Sequence, residues 1–298
     1  MEWFLFALLA PILWAMNNVI DKIIFNRYVK NPFSYQVIIQ VTNIPVVIAF
    51  LFFVNISTDI FSLVGILYGG ILAITFVLYN KVLMKEEASR VMALFYINPI
   101  FILLLAVMFL GESLSISKYL GIILLVLSAI LVSYKRVKGK MKLSFYAIEL
   151  ILIFSFIWAS GQVLSKWVFN FTNYLSFLFW TIIGAVIAGF SFLISKNIRK
   201  DFLADVKRMG KIGWGLRIFE ASTYYVALTS FYVAISIGFI SLVGAIPSIQ
   251  PFFVFLYSLF FSIFLPNIVK EETNKHTVLM KLLAVIFIFI GSWLIVVM

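Results

Sequence analysis

Trp14-Ala15-Met16-Asn17-Asn18-Val19-Ile20-Asp21-Lys22 is answered 144 residues later by Trp158-Ala159-Ser160-Gly161-Gln162-Val163-Leu164-Ser165-Lys166. Trp, Ala, Val and Lys recur in register, with an aliphatic residue before Asp21 and before Ser165. A second echo links Ile97-Asn98-Pro99-Ile100-Phe101 to Ile249-Gln250-Pro251-Phe252-Phe253. Both echoes run in the same order and are offset by about half the chain. The sequence therefore reads as two copies of one unit.

The medium of that unit follows from composition. Of 298 residues, 64% are hydrophobic and 12% charged, and mean hydropathy is +1.12. A soluble domain is about 45–50% apolar and about 25% charged, so a soluble enzyme is excluded, as is a disordered chain. A spanning helix needs roughly 20 apolar residues. Ten such runs are present, at 3–24, 32–54, 60–83, 91–110, 118–134, 143–170, 174–195, 214–235, 241–265 and 277–298. Lipid offers no partners for backbone N–H and C=O groups, so each run is expected to be helical. Barrel strands alternate in polarity, and Phe101-Ile102-Leu103-Leu104-Leu105 does not. The expected fold is all-α and membrane-embedded: ten transmembrane helices as two inverted five-helix repeats, 1–138 and 139–298. Five is odd, so the second unit enters the membrane in the opposite sense. Such repeats meet near the midplane, where secondary transporters bind their substrates.

The charges sort by loop. Lys118, Lys166 and Arg217 apart, all of the 23 Lys and Arg residues fall in the odd-numbered loops or at their edges. The positive-inside rule makes those loops cytoplasmic and turns both termini outward. The net charge of +11 thus reads as topology, with no nucleic-acid partner expected. The longest loop, 196–213, mixes Lys, Arg, Asp201 and Asp205 with Phe202, Leu203 and Val206. It is read either as an amphipathic helix at the cytoplasmic headgroups or as a solvated anchor. Small residues in two spans are expected to permit close packing: Gly65, Gly69 and Gly70, and Gly184 with Gly189. Met1-Glu2-Trp3 lacks the basic start of a signal peptide.

Several chemistries are not expected. With no cysteine and one histidine, His276, neither a disulfide framework nor a thiolate or imidazole metal site is available. There is no phosphate-binding Gly-Lys-Ser run and no catalytic set, so neither ATP-driven transport nor an enzyme is expected. No cofactor is expected either.

The two Trp-Ala…Lys segments, Asn98-Pro99 and Phe109-Leu110-Gly111-Glu112 resemble the drug/metabolite transporter superfamily, in particular its ten-span EamA-type members. The resemblance implies a transporter of small solutes and leaves the substrate open. The sequence departs from the pattern in three places. Small four-span relatives carry a membrane glutamate where this chain has Trp14 and Trp158. The second-half counterpart of Gly111-Glu112 is expanded to Pro266-Asn267-Ile268-Val269-Lys270-Glu271-Glu272. The resemblance also implies cytoplasmic termini, whereas the charges place them outside.

Residues at i, i+3, i+4 and i+7 share a helix face. Trp14, Asn17, Asn18 and Asp21 do so in span one, and Trp158, Gly161, Gln162 and Ser165 repeat the face in span six. Unpartnered polar groups in hydrocarbon cost several kcal/mol, so these faces should point inward. They either line a solute site or hold helices together. Span two offers Gln36, Gln40 and Asn43 at the same spacing. Asn98-Pro99 and Gln250-Pro251 free a backbone carbonyl, as a cavity lining or a kink. Span eight carries Arg217, Glu220 and Tyr224. Arg217 is expected to snorkel. Glu220 is the candidate for contact with substrate or a coupling cation. Aligning Asn98 with Gln250 makes Tyr68 its repeat mate, and Glu149 is the rival acid.

The leading expectation is a secondary transporter that moves a small organic metabolite or drug-like solute by alternating access. It would act in the lipid bilayer of a prokaryotic plasma (inner) membrane, with a coupling proton or cation, as a monomer or homodimer. The alternative is a flippase for a lipid-linked or amphipathic substrate.

Overall fold

The structure is a computed structural model that describes residues 2–85, 95–133, 145–264 and 275–297. The described residues form helices and no strand: α1 Glu2–Arg27, α2 Pro32–Phe53, α3 Ile60–Lys85, α4 Asn98–Leu110, α5 Ile116–Ser133, α6 Phe145–Val168, α7 Tyr174–Ser191, α8 Lys196–Ile237, the single turn α9 Ile240–Val243, α10 Gln250–Phe264 and α11 Lys275–Val296. Six of them, together with the broken run Ile240–Tyr257, are long and apolar enough to cross a membrane, and three shorter apolar helices accompany them. These ten segments match the ten spans read from the sequence. The protein is an all-α integral membrane protein. The 138/139 boundary, the basic run Lys135–Lys142 and the expanded segment Pro266–Glu272 lie outside the described residues.

Local chemistry sets the helix ends. Asn31 caps α2 by accepting the N–H of Phe33, and Asn173 caps α7 by accepting that of Leu175, at 2.9 and 2.8 Å. Each satisfies one of the donors that a helix start leaves free. Gly111, at φ 65°, closes α4 in the left-handed conformation. The two motif prolines begin helices rather than kink them. Pro99 lies in the first turn of α4, and Pro251 follows Gln250 at the head of α10. Span nine is therefore not one helix. It is the turn α9, a 3-10 turn at Ile246–Ile249, and then α10. Pro247 and Pro251 each lack an N–H, which removes two rungs of a continuous ladder.

The loop 196–213 is helical. It runs into the span as α8, with a break at Gly210 (φ 51°, ψ −160°) that a residue with a Cβ would rarely adopt. Part of its apolar face is covered by the protein, while Leu203 stays exposed. Met209 is fully buried, and with Phe202 and Val206 it packs on Ile20, Ile24, Tyr35 and Ile38 of α1 and α2. Asn31 donates to Asp201 at 2.6 Å and fastens the segment further.

Packing follows the repeat. α1 lies on α8 as α6 lies on α3, α4 on α6 as α10 on α1, and α2 on α8 as α7 on α3. Helices α5 and α11, and α2 and α7, are each other's counterparts and pack together. Exchanging the halves returns these principal pairs. The α3–α7 crossing depends on missing side chains. A Cβ on Gly69 would stand 1.9 Å from the Thr181 carbonyl oxygen, and one on Gly184 1.9 Å from that of Ile66. Gly69→Ala is therefore expected to cost at least about 1–3 kcal/mol. Gly70→Ala, whose Cβ would meet nothing nearer than 3.7 Å, should stay within about 0.5 kcal/mol. Reversible unfolding in mixed detergent would compare the two.

Candidate functional site

A polar seam runs where α1 crosses α8, and it has three levels. At the first, Asp21 of α1 accepts from the Tyr35 hydroxyl of α2, which also lies 3.4 Å from Glu220 Oε2 of α8. Arg217 Nη1 donates to that same Glu220 oxygen, and Arg217 Nε donates to Thr42 Oγ1 at 3.1 Å. Tyr35, Arg217 and Glu220 are buried, while Asp21 stays partly exposed. One turn along, Thr223 Oγ1 donates to Asn17 Oδ1 at 2.6 Å. Beyond that, Trp14 packs on Phe231 with ring centroids 5.3 Å apart. Arg217 does not snorkel. It is 3% exposed and spends its donors inside the protein.

The repeat-related crossing, α6 on α3, is built without charge. Gly161 lies against Tyr68: a Cβ there would stand 1.9 Å from the tyrosine ring. Ser165 donates to the Gly161 carbonyl at 2.7 Å. Tyr68 stacks on Phe177 and lies within electrostatic reach of the Tyr224 and Tyr232 hydroxyls. Thus α3, α6 and α8 meet around a group of tyrosines.

Several polar atoms on these faces are buried with no hydrogen-bond partner among the described residues. They are the Trp14 indole N–H, the side-chain amide nitrogens of Asn17 and Asn18, and the Gln162 amide oxygen. Each such group costs about 1–3 kcal/mol if left unmade. Three donors and one acceptor, on the two helices that carry the sequence echo, are the candidate binding groups.

The other sequence candidates occupy different places. Trp158 belongs to a separate ring cluster with Phe76 and Phe154, the latter stacked on Tyr79. Asn98 donates to the Ser155 carbonyl at 2.8 Å and joins α4 to α6. Asn43 donates to Gln40 at 2.8 Å, and Gln40 leans on Gly189 of α7, so this pair belongs to the α2–α7 contact. Gln250 is buried at the head of α10, Tyr224 meets Tyr225 edge-on, and Glu149 is exposed. Sequence reasoning missed Tyr35, Thr42, Thr223 and Phe231. Tyr35 and Thr42 stand at i and i+7, a shared face overlooked beside the Gln36, Gln40, Asn43 series.

A groove of about 430 Å³ lies between α4 and α6, lined by Leu105, Phe109, Phe156, Ser160 and Trp167 among others. Phe109, Phe156 and Trp167 are exposed, so it faces the surrounding lipid rather than the seam. No cluster of metal-ligating side chains occurs among the described residues.

A bundle of apolar helices with its buried charges and amides gathered along inner crossings defines a polytopic membrane protein with a polar interior. Over its first half the chain is similar to a known family: residues 1–134 match the EamA-like transporter family, part of the drug/metabolite transporter superfamily. The family is one of membrane transporters of small solutes. A solved crystal structure, 15% identical, superposes with a TM-score of 0.67 over 98% of this chain and 95% of its own. That likeness concerns the fold. No curated protein matches the chain.

Proposed function

We propose that this protein is a secondary transporter of a small organic solute, working by alternating access in a plasma membrane of the prokaryotic type. Two five-helix units, 1–138 and 139–298, rock about a site between α1 and α6, with the basic loops on the cytoplasmic side. One observation carries the reading: four buried hydrogen-bonding groups, at Trp14, Asn17, Asn18 and Gln162, have no protein partner among the described residues. A solute with both acceptors and donors would satisfy them. Indole and tyrosine faces beside them suit a flat or partly apolar body.

The test is a thermal-shift screen of purified protein against amino acids, amines, nucleosides and sugars. A binder held at 100 times its Kd stabilises the folded state by about 2.7 kcal/mol. Asn18→Leu and Gln162→Leu are expected to reduce that shift by at least half without lowering the unliganded midpoint, because each removes an unmade polar group. A solute whose shift survives both substitutions would show that this face does not bind it.

A further inference from the structure

We propose that Asp21 carries the exchangeable proton that couples transport to proton movement, while Glu220 serves as the permanent counter-ion of Arg217. The proposal rests on the transporter reading for its purpose, and on the geometry of the first seam level for its assignment.

The charges at that level do not balance. The charged and titratable groups facing Asp21 among the described residues are Tyr35 from α2, Tyr79 from α3, and Arg217 and Glu220 from α8. Two carboxyl groups share one guanidinium. Arg217 Nη1 is on Glu220 Oε2, so that acid has its cation. The Tyr35 hydroxyl has a single hydrogen, and its near contact is Asp21 rather than Glu220. An ionised Asp21 would accept a hydrogen bond only from a neutral hydroxyl and would share the field of Arg217, already bonded to Glu220, in a setting of low dielectric. One added proton removes the imbalance.

Access separates the two acids. Glu220 is 5% exposed and closed in by Arg217 and Tyr35, whereas Asp21 remains partly exposed. Asp21 also lies one residue before Lys22, at the basic-loop end of α1. The exchange is a simple transfer. The carboxyl O–H of Asp21 breaks, its proton passes to water on that side, and no other bond changes.

Two further observations point the same way. The repeat-related crossing has Ser165 in the place of Asp21 and Tyr68 in the place of Glu220. Neutral residues hold both places there and α6 still packs on α3, so helix packing does not require the acids at the α1–α8 crossing. One turn from Asp21 on the same face, Asn17 is 4% exposed and its amide nitrogen has no partner. Its carbonyl is already held by Thr223 of α8. The proton site thus adjoins the candidate solute surface, and both act on the α1–α8 contact. A proton gained or lost at Asp21 changes the charge joining α1, α2 and α8, the helices that must shift if the halves rock.

The experiment uses the purified full chain in detergent, with the proton itself as probe. The unfolding midpoint is followed from about pH 5 to about pH 8 in wild type, Asp21→Asn and Glu220→Gln. A proton held by the folded protein and released by the unfolded chain makes the wild-type midpoint fall as pH rises. Asp21→Asn is expected to remove that slope. Glu220→Gln frees Arg217 to act as the counter-ion of Asp21, so it is expected to move the slope to lower pH. A slope unchanged in Asp21→Asn, or left in place by Glu220→Gln, would overturn the assignment. Should either variant fail to fold, infrared difference spectra between the same pH values decide the matter. The protonated-carboxyl band should move in Asp21→Glu and stay fixed in Glu220→Asp, and the opposite pattern rejects the proposal. Neither measurement needs a transported solute. A failed solute screen would therefore count against the transporter reading alone.

Discussion

Replacing Arg217 with methionine is expected to lower stability by about 3–5 kcal/mol, the usual cost of stripping one partner from a buried ion pair. The guanidinium is 3% exposed and touches both Glu220 and Thr42. Without it, Glu220 is left as a buried carboxylate whose remaining neighbour is the Tyr35 hydroxyl at 3.4 Å. Glu220→Met should cost a similar amount, because it strands the cation instead. Arg217→Met with Glu220→Met should recover most of the loss, since a buried pair is commonly no better than apolar groups of like volume. Reversible unfolding in mixed detergent, read by tryptophan fluorescence, gives the three values and the coupling between the sites. A single substitution costing under about 1 kcal/mol would place the pair in the exposed class and refute its buried role. The double variant should still show a ligand-induced shift if the solute binds at Asn18 and Gln162, because those side chains do not depend on the pair.

Most of this architecture is readable in the sequence because hydrocarbon imposes simple conditions. A run of apolar residues that must satisfy its own backbone becomes a helix, and ten runs became ten spans. What could not be read is where a helix continues past its apolar part. The segment 196–213 is so charged that it reads equally as an amphipathic helix or as a solvated anchor. It is helical because Met209, Phe202 and Val206 recur at helical spacing and find a partner in α1 and α2. Span nine fails in the other direction. Its residues are apolar enough for one helix, yet two prolines divide it, and an apolar count does not register a missing N–H.

The site was legible as faces but not as partners. Trp14, Asn17, Asn18 and Asp21 share a side by spacing alone, and the echo in span six marks a second such side. Periodicity within one helix does not say which helix lies opposite. Tyr35 therefore stayed hidden: one hydroxyl in an apolar run has no sequence signal until α1 and α8 are placed around it. Trp158 shows the converse. Its place in the repeat matches that of Trp14, yet Phe76 and Phe154 surround it rather than the seam. A repeat preserves backbone placement, and each half has then filled the shared frame with different side chains.

Glu112→Ala is expected to cost about 3–5 kcal/mol, although Glu112 stands in a connecting segment where charged residues are usually cheap to change. The carboxylate is 7% exposed and accepts three hydrogen bonds from across the chain. They come from the Ile240 N–H at 2.7 Å, the Ser241 N–H at 3.0 Å and the Ser241 hydroxyl at 2.6 Å. Both backbone donors belong to the start of α9, so the acid also faces the positive end of that turn. Hydrogen bonds to a charged group contribute about 1.5–3 kcal/mol each, and buried donors left without an acceptor add their desolvation cost. On the facing side of the same break, Lys166 Nζ donates to the Ile235 and Ser236 carbonyls at 2.8 and 3.2 Å and caps the end of α8. An acid from the first half and a lysine from the second thus hold the two loose ends of the chain around Gly238. Glu112→Gln keeps one acceptor oxygen but brings an NH2 group towards backbone donors, so it should cost about half as much. Ser241→Ala loses only the hydroxyl contact and should cost about 1 kcal/mol. A double-mutant cycle between Glu112 and Ser241, read by unfolding in mixed detergent, should return a coupling of at least about 0.5 kcal/mol. Simple additivity would mean that the carboxylate is hydrated in the membrane-bound protein and that the break at Gly238 is held by packing alone.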